Sequence, residues 1–161
     1  MISQTYGRVT MDQIAEILID RAKKDPAGEY NLVIGTDSQN FDYTKVVVVI
    51  ALHHVGKGGL FFYEIKKVKR ISDIRQKLYF ETNLSLECAK ELIDALERQS
   101  AVQRVDFKKL FNFSIHVDAG ENGPTQKLIP ELVGWIRACG YKAAVKPNSY
   151  AASSIADTLS K

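Results

Sequence analysis

The spacing of apolar residues divides the chain into a leading helix, three strands in close succession, and an alternating second half. Ile14, Ile17, Leu18 and Ala22 recur at helical intervals between Met11 and Lys24. Thr10 stands at the N-cap position and Gln13 at the matching capping-box position. Pro26 and Gly28 end that helix. Asn31 to Thr36 (NLVIGT) is a short apolar run suited to a buried strand, with Asp37 at its end. Residues 41–43 read as a turn. Lys45 to His54 is rich in valine, and β-branched residues favour a second strand. Gly56, Gly58 and Gly59 turn the chain into a third strand, Leu60 to Val68. Short links make these three an antiparallel meander.

The period then changes. A long helix is expected from a cap at Ser72 to about Arg98, with a break or bend near Thr82 to Ser85, where helix propensity dips. Phe111 to Val117 forms a fourth strand ending at Asp118. A helix from Pro124 to about Cys139 carries an expected kink at Pro130 and stops at Gly140. Tyr141 to Lys146 is a fifth strand, and a last helix, capped by Ser149, runs toward Leu159. The order after the leading helix is βββαβαβα. Its alternating half should pair in parallel through right-handed crossovers.

Two acids change this picture from a fold to a candidate site. Asp37 and Asp118 each close an apolar strand, where a carboxylate is costly unless it is paired or holds a cation. If the first and fourth strands are parallel neighbours, the two carboxylates approach each other, and a hard cation such as Mg²⁺ or Mn²⁺ offsets their repulsion. The structural alternative is that each aspartate caps a turn. His116 shares a strand face with Asp118, as a base or as a half-buried strand residue. Gln39 lies two residues past Asp37, as a substrate contact or a turn residue.

The order of elements and these acids resemble the ribonuclease H-like nuclease superfamily. The segment Thr82 to Leu96, TNLSLECAKELIDAL, resembles its metal-binding helix, which opens with Thr-Asn and places a glutamate five residues after the threonine; that place is held by Glu87. Glu91, one turn further along, and Glu81, near the expected break, are the alternatives. Asp157, in SIADTLS on the last helix, resembles the acid of the resolvase branch, with Ser153 and Ser154 one turn before it. More narrowly, IGTDSQ, VDAGENG and KPNSYAASSIADTLSK resemble the bacterial YkuK-type family of ribonuclease H-like proteins, over about Asn31 to Lys161.

The resemblance implies one α/β domain over residues 1–161, with an N-terminal helical extension at about 10–25. Its mixed five-stranded sheet would have the order 3-2-1-4-5, with strand 2 antiparallel and helices flanking it. It further implies that Asp37, Glu87, Asp118 and Asp157 hold two Mg²⁺ or Mn²⁺ ions roughly 4 Å apart and hydrolyse nucleic-acid phosphodiesters, DNA or RNA. The rival reading is a non-catalytic nucleic-acid-binding or protein-interaction module on the same fold.

Composition narrows these readings. With 161 residues, 45% hydrophobic, the chain is long enough to bury one core. The net charge of +3 permits an acidic polymer as partner without requiring one. Lys66, Lys67, Lys69 and Arg70 form a basic cluster, and Lys108 and Lys109 a smaller one. They can grip phosphates or simply keep a strand edge solvated. Phe111, Asn112 and Phe113 read as strand and core. His53 and His54 point to opposite faces and cannot form one metal site alone. The glycine-rich loop 120–123 before Pro124 opens a helix and can face an anion, yet no Walker-type lysine loop or GxGxxG turn is present. Cys88 and Cys139 are expected as reduced thiols. The lack of a signal-peptide pattern or an apolar span points to a cytoplasmic protein away from membranes.

Overall fold

The computed structural model describes residues 1–119 and 123–145. Among them a seven-stranded mixed sheet carries helices α1 (Met11–Lys24), α2 (Ile74–Gln103), α3 (Phe107–Leu110) and α4 (Ile129–Ala138). The strands are β1 (Ile2–Ser3), β2 (Gly7–Arg8), β3 (Tyr30–Asn40), β4 (Tyr43–His54), β5 (Gly58–Lys69), β6 (Asn112–His116) and β7 (Lys142–Ala144). Their order is β2-β1-β5-β4-β3-β6-β7. The five strands expected from the sequence are present in the expected order. The short β1 and β2 extend the sheet beyond β5 through the pair Ile2↔Tyr63. Two-residue strands carry too little periodicity to be read from sequence.

The meander is antiparallel, from Tyr30↔His54 to Asn40↔Thr44 and from Tyr43↔Lys69 to His54↔Gly58. β6 runs parallel to β3, from Asn31↔Asn112 to Gly35↔His116, and β7 runs parallel to β6. Alternation divides the side chains. Leu32, Ile34, Val46, Val48, Ile50 and Phe62 join the main core under α1, α2 and α4, whereas Val47, Val49 and Ala51 pack with Phe61 and Tyr63 on the opposite face.

Several local expectations are corrected. α2 is unbroken through Thr82 to Ser85, because these weak helix formers are turned inward: both are buried, and Ser85 Oγ lies 2.8 Å from Thr36 Oγ1 on β3. Packing outweighs local propensity here. The N-cap of α2 is Asp73, not Ser72; its carboxylate accepts from the backbone N–H groups of Arg75 and Gln76. Pro130 does not kink a helix, because α4 begins at Ile129, after a single 3₁₀ turn at Gln126–Leu128. A proline in the first helical turn forfeits no intrahelical hydrogen bond. The last helix expected from Ser149 lies outside the described residues. Cys88 and Cys139 are both free. Burial pushes the Cys88 thiol up to about 12, so it packs as a small apolar group. No helix among the described residues is long and apolar enough to cross a membrane.

The capping box of α1 is fully formed: Thr10 Oγ1 accepts from Gln13 N at 3.2 Å, and Gln13 Oε1 accepts from Thr10 N at 2.8 Å. Thr10→Ala removes one arm of it and is expected to lower stability by about 1 kcal/mol in urea unfolding. An unchanged midpoint would show that the docking of α1 on α2, and not its cap, sets the stability of this end.

Candidate active site: a buried glutamate beside two aspartates

The parallel register of β3 and β6 brings the first two acids together. Gly35 pairs with His116, and the same register continued by two residues sets Asp118 beside Asp37. Asp37 stands within β3 rather than at its end, opposite Val47 of β4. It is half-buried, as is Asp118, and its Oδ1 accepts from the N–H of Ser38 at 2.9 Å.

The third carboxylate comes from α2, and it is Glu81. Thr36 and Ser38 project from β3 toward this helix. The Thr36–Ser85 hydroxyl contact pins the helix to the strand, and one turn earlier the Ser38 hydroxyl donates to Glu81 Oε1 at 2.8 Å. Glu81 is only 7% exposed. Burial, followed by the charges of Asp37 and Asp118, pushes its pKa up to about 8 against the opposing pull of the Ser38 hydrogen bond and Lys77. Thr36, Leu78, Thr82, Ser85 and Val117 close round it in a narrow cleft that also reaches Asp118.

Glu87, the residue suggested by the Thr-Asn spacing, is directed elsewhere. Six residues after Glu81, it is rotated by about 120° on a helix of 3.6 residues per turn. It is exposed, accepts from Asn83 Nδ2 at 3.1 Å, and borders a separate cavity of about 200 Å³ with Glu64, Lys66 and Glu91. The local signal was ambiguous because both glutamates belong to one helix, and only the contact with β3 fixes its phase. Asp157, Ser153 and Ser154 lie outside the described residues, as do Gly120, Glu121 and Asn122 of the loop after Asp118.

His116 is buried, and desolvation pushes its pKa down to about 4, so its ring is neutral at physiological pH. Gln39 follows Asp37 on the same face, and its Oε1 is buried without a hydrogen-bond partner. Among the described residues no three His, Cys, Asp or Glu side chains are gathered as closely as a metal cluster requires. The charges of Asp37 and Asp118 both act on Glu81. All are hard oxygen donors, of the type that Mg²⁺ and Mn²⁺ take.

The profile of the ribonuclease H-like family matches residues 13–161, and the chain belongs to that family. Over 160 residues it is 35% identical to the uncharacterized protein YkuK of Bacillus subtilis (strain 168), covering 96% of this chain and 93% of that protein. No solved structure matches the chain significantly.

The raised pKa of Glu81 makes stability depend on pH in a defined window. Between the ordinary value of 4.5 and about 8, the folded chain keeps a proton that the unfolded chain has released. Stability therefore falls as pH rises through this window and levels off above it. Glu81→Gln keeps the acceptor for Ser38 and removes the charge. In urea unfolding without divalent metal it is expected to match the parent at pH 4 and to exceed it at pH 9, by an amount on the order of a few kcal/mol. An identical pH slope in parent and variant would show that Glu81 is not the buried ionisable group.

Proposed function

We propose that this protein is a divalent-metal-dependent nuclease that hydrolyses phosphodiester bonds of nucleic acid at the Asp37–Glu81–Asp118 cluster. The observation that carries this reading is Glu81: a glutamate buried beside two aspartates is unfavourable for folding unless positive charge arrives to offset it. Asp37, Glu81 and Asp118 would hold Mg²⁺ or Mn²⁺, two ions being expected for the family, with Asp157 as a fourth donor. Glu81 replaces Glu87 in this set. Divalent ions, when bound, supply the charge that activates water for attack on phosphorus and offset the charge on the leaving oxygen.

The chain's own residues supply position and proton control. The Ser38 hydroxyl fixes Glu81 by one hydrogen bond, and the Thr36–Ser85 contact fixes the helix that carries it. Burial brings the proton affinity of Glu81 near neutrality, and a bound divalent ion would compete with that proton. His116 is neutral, so it adds no positive charge to compete with a metal ion at the aspartates on its strand face. Water attacks phosphorus and releases a proton to solvent, the bond from phosphorus to the leaving oxygen breaks, and the leaving oxygen takes up a proton from solvent.

The second reading is a module that keeps the fold and binds nucleic acid or protein without cleaving it. The loose spacing of the acids among the described residues favours it. Mn²⁺ titration followed by thermal unfolding separates the two. The nuclease reading expects a rise of several degrees in Tm that Asp37→Asn and Glu81→Gln abolish and Glu87→Gln leaves intact. It also expects cleavage of at least one member of a panel of single-stranded, duplex, hybrid and junction substrates, lost in Asp37→Asn and Asp118→Asn. No Mn²⁺-dependent rise together with no cleavage would leave the binding module standing.

A further inference from the structure

Beside Asp37, on the sheet face opposite α1 and α2, lies a surface to which the proposed hydrolysis assigns no role. The pairs Asp37↔Val47, Gln39↔Lys45, Lys45↔Lys67 and Tyr43↔Lys69 place Asp37, Gln39, Tyr43, Lys45, Lys67 and Lys69 on one face, at the end of the meander that carries Asp37. Alternation splits the basic run of the sequence. Lys66 turns toward Glu64 and Glu87 on the helical face, whereas Lys67 and Lys69 turn toward the face of Asp37.

Aromatic rings are set among these cations. Phe41 and Tyr43, on either side of the β3–β4 hairpin tip, lie 5.5 Å apart at 35°. Lys67 Nζ stands 5.1 Å from the centroid of the Tyr43 ring. Arg70 braces the tip by donating to the Phe41 carbonyl, and its Nε donates to Ser72 Oγ at 3.2 Å. Phe41 is 42% exposed and Ile65, next along this face from Lys67, 43% exposed. Asp42, at the tip itself, is the one acid in the stretch from Phe41 to Lys45.

We infer that this face is the track along which a single-stranded nucleic acid reaches the carboxylates: Lys45, Lys67 and Lys69 hold its phosphates, and Phe41 and Tyr43 stack its bases. The inference rests on the nuclease reading for the direction of the track and adds the form of the substrate. A patch of cations alone would suit any polyanion. An exposed ring, Phe41, and a half-buried one, Tyr43, set among cations suit a strand whose bases are unpaired, because only those bases offer a free face for stacking. Four residues of extended strand separate Asp37 from the level of Tyr43 across the β3–β4 register, roughly 13 Å, a span that a short single strand bridges. Gln39 stands between the two sets on the same face.

The test measures binding of fluorescein-labelled 12-nucleotide oligo-dT and oligo-U by anisotropy, in EDTA so that cleavage does not intervene. A duplex of equal length and poly-glutamate serve as competitors. The full-length protein is expected to bind a single strand more tightly than the duplex. Lys67→Glu with Lys69→Glu should weaken binding at least tenfold and flatten its salt dependence. Tyr43→Ala should weaken it by about tenfold with an unchanged salt slope. Circular dichroism shows whether each variant is folded, and Lys108→Glu with Lys109→Glu, on α3, controls for net charge. Equal affinity in parent and folded track variants would overturn the inference, as would preference for duplex or displacement by poly-glutamate at matched charge. Cleavage separates the two claims. Tight single-strand binding without Mn²⁺-dependent cleavage sinks the nuclease reading alone; Asp37-dependent cleavage undiminished in the track variants sinks the track alone.

Discussion

The parallel pairing of β3 with β6 is the constraint on which the rest of the structure depends. It sets two aspartates from distant parts of the chain side by side. It also requires α2 to serve as the crossover, and a helix laid over two strands brings one of its turns above the paired ends. Glu81 occupies that turn. It is buried there, held by the Ser38 hydroxyl, and burial beside Asp37 and Asp118 raises its affinity for a proton. α2 also buries apolar side chains that offset this unfavourable group: Leu78, Leu92 and Leu96 lie in the common core.

Much of this was legible in the sequence. The apolar runs marked the five principal strands, and the acids that follow NLVIGT and FNFSIHV stood out because strand interiors of that kind seldom tolerate charge. The capping residues Thr10 and Gln13 named the start of α1. The third acid was not legible. Glu81 and Glu87 lie on one helix, and sequence spacing alone does not say which face meets β3; the hydroxyl pair Thr36–Ser85 settles it, and that contact spans 49 residues. The expected helix break failed for the same reason, since the residues of low propensity are those that touch the strand. The basic run was read as one cluster although period-two alternation already divides it, with Lys66 on one face and Lys67 and Lys69 on the other.

Membership of the ribonuclease H-like family and the likeness to YkuK agree with this architecture, and the two readings of function differ only in whether the buried glutamate meets a cation. The geometry gives that question a definite place. Ser38 and Thr36 reach α2 while Asp37, between them, turns to the other face, so the strand itself is the wall between the helix-side glutamate and the open face of the sheet. A ligand that engages both must do so past the end of β6, where the wall stops.

The long loop closed by the β3–β6 ladder also has a consequence in time. The pair Asn31 and Asn112 joins residues 81 positions apart. During synthesis, the meander and α2 can form from local contacts while Asp37 still lacks Asp118. The carboxylates are therefore brought together only when this long-range pairing forms. Until β6 inserts beside β3, the chain carries an exposed central strand edge, a template on which other chains can pair.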